Sequence, residues 1–241
     1  MKTDIEYLKE IIEKSGNIVF FGGAGVSTES GIPDFRSADG LYSEQYKYPP
    51  ETMLSRSFFN RHTDEFYRFY RNKMLYPDAE PNAAHFALAK LEELGSLKAV
   101  ITQNVDGLHT RAGSVNVLEL HGSAHRNICL TCGIIYPLDK IIQTEGIPLC
   151  DCGGIIKPDV VLYEEELNHS ILDRAARAIG NADMLIVGGT SLNVYPAAGL
   201  ISYYRGKNLI LINKSETPYD YRADLIIRES IGKTLGKIVG I

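Results

Sequence analysis

Four cysteines lie close together in the chain, in two pairs whose spacing suits a metal ion. The first pair is Cys129 and Cys132, with two residues between them, and the second is Cys150 and Cys152, with one residue between them. Four thiolates around a tetrahedral zinc ion form closed, structural sites with no open position for catalysis. The alternative is a set of disulfide bonds, which are rare in proteins without a secretion signal. The pattern therefore predicts a zinc ribbon in which one turn is a residue shorter than usual.

Two glycine-rich segments have the composition of nucleotide-binding loops. Residues 21–37 (FGGAGVSTESGIPDFRS) follow a short apolar run, as a phosphate-binding loop follows a buried strand. They lack the third glycine of the G-x-G-x-x-G pattern, and no lysine follows the glycines, which excludes a P-loop. Residues 188–199 (GGTSLNVYPAAG) follow another apolar run and supply backbone amides and hydroxyls suited to phosphate. We predict that the two segments form opposite sides of one site.

A third segment, residues 102–113 (TQNVDGLHTRAG), concentrates polar side chains after an apolar run. Its polar residues include Gln103, Asn104, Asp106 and His109. One such residue would serve to cap the next helix, but four exceed what capping requires. Asn104 and Asp106 are suited to holding an amide or a ribose hydroxyl. We interpret His109 as a structural residue that hydrogen-bonds a loop rather than as a catalytic one.

One histidine has the position of a general base. His121 follows the apolar run that begins at Val115 and is itself followed by Gly122. A neutral imidazole at a strand end can take a proton from a hydroxyl. A single histidine is more often a partly buried structural residue, but the polar clusters at neighbouring strand ends favour catalysis. Asn213 follows another apolar run and is suited to an adenosine ribose.

These residues follow short apolar runs that predict buried strands, and helical spacing lies between the runs. The predicted strands are Asn17–Phe21, Ala99–Thr102, Val115–Glu119, Met184–Val187, Asn208–Ile212 and Asp224–Ile227. The predicted helices are an amphipathic N-terminal helix ending at Gly16, and Leu88–Leu94, Asp173–Ile179 and Pro196–Tyr204. The alternation predicts an α/β fold with a doubly wound, parallel, Rossmann-like sheet, in which ligands bind at the carboxyl ends of the strands.

Two segments interrupt the alternation and predict a smaller domain. Residues 37–81 are rich in Tyr, Phe and Arg and read as a helical insertion, and residues 123–157 hold the cysteines and read as a zinc-binding insertion. Neither contains enough apolar residues for a core of its own. The predicted Rossmann-like domain consists of residues 1–36, 82–122 and 158–241.

The bulk composition is that of a soluble globular protein. The 241 residues are 44% hydrophobic and 23% charged, with a net charge of -5 and no basic stripe of the kind that binds nucleic acid. The N-terminal residues do not have the pattern of a signal peptide, and no apolar run approaches the ~20 residues of a membrane span. We expect a cytoplasmic monomer without nucleic-acid or membrane partners.

Taken together, these motifs resemble the sirtuins, a family of NAD-dependent protein lysine deacylases. The matches, in the family's order from residue 22 to about residue 213, are GAGVSTESGIPDFR, TQNVDGLH, the histidine of LHG, the two cysteine pairs, KPDVVLYEE, GTSLNVYPA and the Ile-Asn of LILIN. Length and motif order are similar to those of the compact bacterial members. The resemblance implies structural zinc, NAD as co-substrate and acyl-lysine proteins as substrates.

The resemblance also implies a reaction. The acetyl group of acetyl-lysine is transferred to ADP-ribose, and nicotinamide, O-acetyl-ADP-ribose and free lysine are released. The acyl oxygen attacks the nicotinamide ribose, and His121 later acts as general base on a ribose hydroxyl. A mobile lid with an aromatic residue shields the cationic transition state from water. The acyl-lysine enters a tunnel between the two domains.

Roles for individual residues follow from the same resemblance. The implied catalytic residues are His121 and Asn104. The implied NAD contacts are Gly23, Ala24, Gly25, Thr28, Asp34, Phe35, Arg36, Gln103, Asn104, Val105, Asp106, His121, Gly189, Thr190, Ser191, Asn213 and Ile231. The implied nicotinamide contacts are Ile32, Phe35, Val105 and Asp106. The substrate, bound as an added strand, is implied to contact Val160, Leu162, Tyr163, Asn193 and Val194.

One departure from the family's pattern lies near the implied peptide groove. Many members have Gly-Glu after the aromatic residue that corresponds to Tyr163, whereas this chain has Glu164 and Glu165. A bulky charge replaces glycine there, so we expect the peptide preference to differ.

A second departure concerns the acyl group. Members that remove succinyl or malonyl groups carry Tyr-x-x-Arg in the helical insertion, but the third residue after Tyr67 is Tyr70. Arg71 comes one place late, and one residue on a helix rotates the side chain by ~100°. We therefore expect short uncharged acyl groups, acetyl first.

Two alternative functions stay open on the sequence. A mono-ADP-ribosyltransferase would trap the same cationic species with a protein nucleophile, but His121 and the KPDVV segment favour deacylation. A non-catalytic NAD-sensing or zinc-ribbon interaction module would not need His121. A nucleic-acid-binding ribbon would have basic and aromatic residues around its cysteines, and few are present here.

Overall fold

The computed structural model describes residues 3–35, 40 and 47–241. Arg36, one of the implied NAD contacts, lies outside the described residues. Within the described part of the chain, no helix is both long enough and apolar enough to cross a bilayer.

Helices and strands alternate along most of the chain. The strands are β1 (Ile18–Gly22), β2 (Leu97–Thr102), β3 (Val117–Glu119), β4 (Gly122–Cys129), β5 (Ile135–Tyr136), β6 (Ile156–Val160), β7 (Met184–Gly188), β8 (Leu209–Ile212) and β9 (Leu225–Ile227). The helices are α1 (Asp4–Lys14), α2 (Pro50–Met53), α3 (Arg56–Arg61), α4 (Thr63–Lys73), α5 (Ala83–Glu93), α6 (Leu108–Arg111), α7 (Leu138–Ile142), α8 (His169–Asn181) and α9 (Ile231–Val239). Where a helix was predicted over Pro196–Tyr204, the structure has a 3-10 helix, Ala197–Tyr203. Gly199 lies inside it, and glycine disfavours regular α-helix.

The predicted parallel sheet is confirmed, with the strand order β3-β2-β1-β7-β8-β9. Every residue of β1, β7 and β8 is buried, as expected of parallel strands that are covered by helices on both faces. From the centre of the sheet, β1, β2 and β3 follow one another toward one edge, and β7, β8 and β9 follow one another toward the other edge. The order therefore reverses between β1 and β7, which is where open α/β sheets bind ligands.

Each face of the sheet carries its own core. Successive residues of a strand point to opposite faces, so Phe20 packs into the cluster under α1, α5 and α9, while Phe21 packs into the cluster under α8 and the 3-10 helix. These two cores hold the strand ends in place, which makes the loops at the carboxyl edge a rigid platform for a site.

The two insertions share a third core. The aromatic residues of α3 and α4, such as Phe59 and Phe66, pack with Ile141 of α7 and Ile156 of β6, and the rings of Phe59 and Phe66 meet edge to face at 5.0 Å. Strands β5, β4 and β6 form a small antiparallel sheet in this part of the protein. Among the described residues of the two insertions, the buried apolar side chains belong to this shared core. The domain boundaries given above stay a prediction.

Candidate active site

The glycine loops after β1 and β7 pack directly on each other. The amide of Gly25 donates a hydrogen bond of 2.8 Å to the carbonyl of Gly189, and Gly189 has a positive φ of 59°. A Cβ on Gly25 would lie 2.7 Å from the Cα of Gly189, and a Cβ on Gly189 would lie 2.4 Å from the amide nitrogen of Val26. Both positions therefore require glycine, and the two loops predicted to be opposite sides of one site meet at the point of strand reversal.

The loop after β2 adds a hydrogen-bonded polar cluster to the same edge. Ser27 donates its hydroxyl to Asp106 Oδ2 at 2.6 Å, and Asn104 Nδ2 donates to Ser27 Oγ at 3.0 Å. The second carboxylate oxygen, Asp106 Oδ1, accepts from the amide of Leu108 and caps α6. Asn104 and Asp106 are thus brought together as expected, with Ser27 between them.

Ser27 was not among the residues predicted from the sequence. It is 1% exposed and connects the glycine loop to the cluster after β2. The signal for Ser27 in the sequence is its position, because it places a hydroxyl directly after Gly25-Val26 of the glycine loop. Its partner Asp106 is 79 residues away in sequence, so the pairing depends on the fold.

Gln103 links this cluster to the loop after β7. Its side-chain Nε2 donates to Thr190 Oγ1 at 3.0 Å, and its backbone amide donates to the carbonyl of Gly22. The loops after β1, β2 and β7 are therefore joined to one another by hydrogen bonds. Gly23, Ala24 and Ser191 lie in the same loops.

His121 follows β3 and lies beside the loop after β2. Its Nδ1 is 3.0 Å from the carbonyl oxygen of Gln103, which can only accept, so Nδ1 carries the proton and Nε2 has a free lone pair. Burial lowers the pKa of His121 below its ordinary value of 6.5, although the bond to Gln103 opposes this shift. The imidazole is therefore neutral near pH 7 and has the tautomer that a general base needs.

Gly122 lets the chain turn sharply after His121. Its φ is 76°, and a Cβ there would lie 2.0 Å from the carbonyl oxygen of Asp159. The carbonyl of His121 in turn accepts a hydrogen bond from the amide of Val161. The histidine is thus held between the large sheet and the start of the small one.

His109 is a core residue. It is 2% exposed on α6, and its ring meets that of His85 at 4.7 Å, edge to face. Burial, together with the neighbouring His85, lowers the pKa of His109 to about 3. This packed imidazole fits a structural role, but both of its ring nitrogens are buried without a hydrogen-bond partner, so the bond to a loop that the sequence predicts is not formed.

The segment after the first glycines is anchored at several points. Asn82, the cap of α5, donates from Nδ2 to the carbonyl of Val26 and to Ser30 Oγ, and Glu29 Oε2 accepts from the amide of Gly232 at the start of α9. Thr28 Oγ1 donates to the carbonyl of Gly25.

Farther along the chain, Phe35 and Val105 each pack against the third core and are half-buried. Ile32 and Asp34 are also half-buried. The aromatic side chain of Phe35 thus packs on the third core, and its role in a lid over the nicotinamide end stays a prediction.

Two of the implied NAD contacts have other partners here. Asn213 follows β8, but its Nδ2 donates to the carbonyl of Ser215 in its own loop. Ile231 begins α9 and is 3% exposed, and it packs into the core under α1, α5 and α9. Their roles toward NAD stay predictions.

The implied substrate segment continues from the edge strand β6. Val160 and Leu162 point into the third core, whereas Tyr163 is 40% exposed. Tyr163 forms a parallel β-bridge with Ser55, the residue before α3. The amide of Tyr163 donates to the carbonyl of Leu54, and the carbonyl of Tyr163 accepts from the amide of Arg56. The other implied contacts, Asn193 and Val194, lie in the loop after β7.

The four cysteine sulfurs form a ligand set for a metal ion. They lie within 4.8 Å of one another, and two of the pairs, Cys129 with Cys152 and Cys132 with Cys150, are 3.5 Å apart. A disulfide would require about 2.05 Å, whereas a tetrahedron with metal–sulfur bonds of about 2.3 Å has edges of about 3.8 Å. A Cβ on Gly154 would lie 2.7 Å from the sulfur of Cys129, which explains a glycine after the second pair. The arrangement fits a structural zinc ion.

Comparison with known proteins extends over nearly the whole chain. The model of the Sir2 family matches residues 23–196. An NAD-dependent protein deacetylase of Clostridium acetobutylicum is 62% identical over 98% of this chain and 98% of its own, and one of Clostridium perfringens is 60% identical over 99% and 100%. A solved complex of Sir2 with p53 peptide and NAD+ is similar with a TM-score of 0.86 and 38% identity, covering 100% of this chain and 98% of the solved one.

Proposed function

The chain belongs to the Sir2 family, and we infer from this that it is an NAD-dependent protein deacetylase. The reaction transfers the acetyl group of an acetyl-lysine to ADP-ribose and releases nicotinamide and free lysine. Among the geometric observations, the one that carries this function is His121, a buried neutral imidazole with its Nε2 free, beside the three interlocked loops. Neither a sensor nor a zinc-ribbon module would need this tautomer at this place.

The residues at the strand ends fit NAD as co-substrate. The contact between Gly25 and Gly189 leaves no room for side chains, so backbone amides can approach a pyrophosphate. We propose that Thr190 and Ser191 supply hydroxyls to it, and that Asn104 and Asp106 hold the ribose and the carboxamide. When bound, NAD supplies the ribose–nicotinamide bond whose cleavage provides the acceptor for the acetyl group.

His121 has the properties of the general base in this proposal. The hydrogen bond from Nδ1 to the carbonyl of Gln103 holds the ring orientation, and Nε2 accepts the proton of a ribose hydroxyl. Asn104 lies in the same loop as Gln103 and orients the ribose. Half-buried Phe35 helps to exclude water while nicotinamide leaves.

The substrates in this proposal are acetyl-lysine peptides and proteins. One solved relative is described as bound to p53 peptide and NAD+, which supports a peptide substrate for this chain. We propose that the peptide adds as a strand beside Val160–Tyr163. The four cysteines are arranged for a metal rather than joined in disulfides, which is typical of a reducing compartment and supports a cytoplasmic location. The monomeric state is also a proposal.

The contacts of Arg71 support a preference for uncharged acyl groups. Its Nε donates to the carbonyl of Ile141 at 2.8 Å, its guanidinium also donates to the carbonyl of Gly146, and it lies over the ring of Tyr67. The hydroxyl of Tyr67 donates to the carbonyl of Ile156. Arg71 and Tyr67 are thus committed to the zinc-binding part of the protein, so neither is placed to bind an acyl carboxylate.

We predict that the purified protein with NAD deacetylates an acetyl-lysine peptide at least about tenfold faster than a succinyl-lysine peptide of the same sequence, because a carboxylate without a cationic partner is costly to bury. Mass spectrometry of all products would measure this and should show O-acetyl-ADP-ribose and free lysine. ADP-ribosylated protein with the peptide still acetylated would instead indicate a transferase. NAD binding without turnover of any acyl peptide would indicate a sensor.

A second prediction concerns the contact between the glycine loops. Gly25→Ala is expected to weaken NAD binding by at least about tenfold, since the new Cβ would lie 2.7 Å from Gly189 and must push the loops apart. Isothermal titration with NAD or ADP-ribose measures the effect. Gly16→Ala is the matched control, because nothing lies within 4 Å of its Cβ position. Equal affinities for the two variants would refute the proposed role of these loops.

A further inference from the structure

The turn that follows the implied peptide segment has a glutamate where glycine is favoured. Residues Leu162–Glu165 form a tight turn, closed by a hydrogen bond of 3.0 Å from the amide of Glu165 to the carbonyl of Leu162. Its third residue, Glu164, has a φ of 74°. Turns of this type place their third residue in the left-handed region, which glycine adopts freely and a residue with a Cβ adopts only at a cost. Glu164 therefore destabilises the turn's backbone unless its side chain compensates.

The side chain of Glu164 forms hydrogen bonds with the first turn of α3. Its Oε2 accepts from the amide of Ser57 at 2.9 Å, and its Oε1 accepts from the hydroxyl of the same serine at 2.8 Å. These bonds lower the pKa of the Glu164 carboxyl, so it is charged at neutral pH and the bonds are charge-assisted. We call this two-bond contact the Glu164–Ser57 clasp.

The clasp acts on a segment that is already tied to α3. The backbone of Tyr163 exchanges hydrogen bonds with Leu54 and Arg56, and the neighbouring Glu165 pairs with Arg56 and with Lys157 of β6. The Glu164–Ser57 clasp is the solvent-exposed member of this series of contacts. The exposed side of Tyr163 lies at the border of the proposed peptide groove.

We propose that Glu164 is a positioning residue for the peptide. Through the Glu164–Ser57 clasp, Glu164 holds the segment Val160–Tyr163 in the conformation to which the peptide adds as a strand. This rests on the proposed function, because it names the element that presents the groove for an acetyl-lysine peptide. A segment ordered in advance loses less conformational entropy when the peptide binds. Both bonds of the clasp join Glu164 to Ser57 and neither involves the glycine loops, so the clasp should act on the peptide and not on NAD.

Steady-state kinetics and peptide binding by fluorescence anisotropy test this on four variants of the full chain. Glu164→Gly removes both the clasp and the backbone cost, and it is expected to raise KM for the acetyl-lysine peptide by about fivefold, with KM for NAD changed by less than about twofold. Glu164→Gln can accept from the Ser57 amide and donate to its hydroxyl, so it should keep the wild-type KM. Ser57→Ala removes one bond and should give an intermediate value. Glu166→Gly is the matched control, since the side chain of Glu166 is 89% exposed.

Three results would overturn the proposal. One is an unchanged peptide KM and peptide affinity in Glu164→Gly. Another is an equal rise in the KM values for peptide and NAD, which would reflect general destabilisation. The third is a Glu164→Gln variant as impaired as Glu164→Gly, which would assign the effect to charge. Wild-type turnover is measured first: its absence would refute the deacetylase function, while the binding assay would still decide on the clasp.

Discussion

His121→Ala is expected to lower kcat for deacetylation by about 10²- to 10⁴-fold, the range that a positioned general base contributes. The imidazole is neutral, its Nδ1–H is bonded to the carbonyl of Gln103, and Nε2 is the atom left to accept a proton. Because this proton transfer follows the departure of nicotinamide in the implied reaction, the variant should still exchange labelled nicotinamide into NAD when acetyl peptide is present. Quantifying both activities by mass spectrometry separates the two steps.

His169→Ala is the matched control for this experiment. The side chain of His169 is 83% exposed on the first turn of α8, and its removal should leave both activities unchanged. An equal loss of exchange and deacetylation in His121→Ala, with NAD and peptide still bound, would show that His121 acts before nicotinamide leaves. Retained deacetylation would eliminate it as the base.

The same residue predicts the acid limb of the pH profile. A general base must be unprotonated, so kcat/KM rises with pH through the pKa of His121 in the free enzyme. Burial lowers that pKa below 6.5, so the midpoint should lie below 6.5 and most of the plateau rate should be reached by pH 7. A midpoint above 6.5 that disappears in His121→Ala would contradict the structural account of the ring's environment.

The large sheet was predictable because its strands are buried on both faces. Such strands are continuous apolar runs, and IVFFG of β1 and MLIVG of β7 stand out for that reason. The small sheet gives no comparable signal. Strand β6 reads IKPDV and lies at an edge, where a proline is tolerated, and β4 contains four polar residues among eight.

The polar residues of the candidate site were predictable by position, but their partners were not. Asn104 and His121 could be found because each follows an apolar run in a parallel sheet. The bond between Ser27 and Asp106 joins residues that come together only through strand order. Glu164 gave a signal as a departure from the family's glycine, but its compensation by Ser57 required the φ angle and the turn.

Removal of the metal is expected to damage the peptide side of the protein and to spare the NAD side. The sulfurs of Cys129 and Cys150 are buried at the border of the third core, which also contains Val160 and Leu162 of the implied peptide segment. The glycine loops, in contrast, rest on the two cores of the large sheet. Structural zinc sites contribute folding free energy directly, so loss of one ligand should release the metal, leave three thiols uncoordinated and loosen the third core.

Cys150→Ser is therefore expected to lower the unfolding free energy by about 3 kcal/mol or more, which corresponds to a fall in Tm of roughly 6–12 °C for a chain of this size. Deacetylation should fall by at least about tenfold through the peptide KM, while affinity for ADP-ribose should stay within about threefold of wild type. Elemental analysis, calorimetry and titration measure the three quantities.

Asp151→Ser is the matched control. Asp151 is exposed between two ligands, so this variant should keep one zinc per chain. If Cys150→Ser kept its zinc and Tm, the cluster would not be a structural site. If affinity for ADP-ribose fell as far as affinity for the peptide, the NAD side and the peptide side of the protein would form one cooperative unit. Their cores would then not contribute to stability independently of each other.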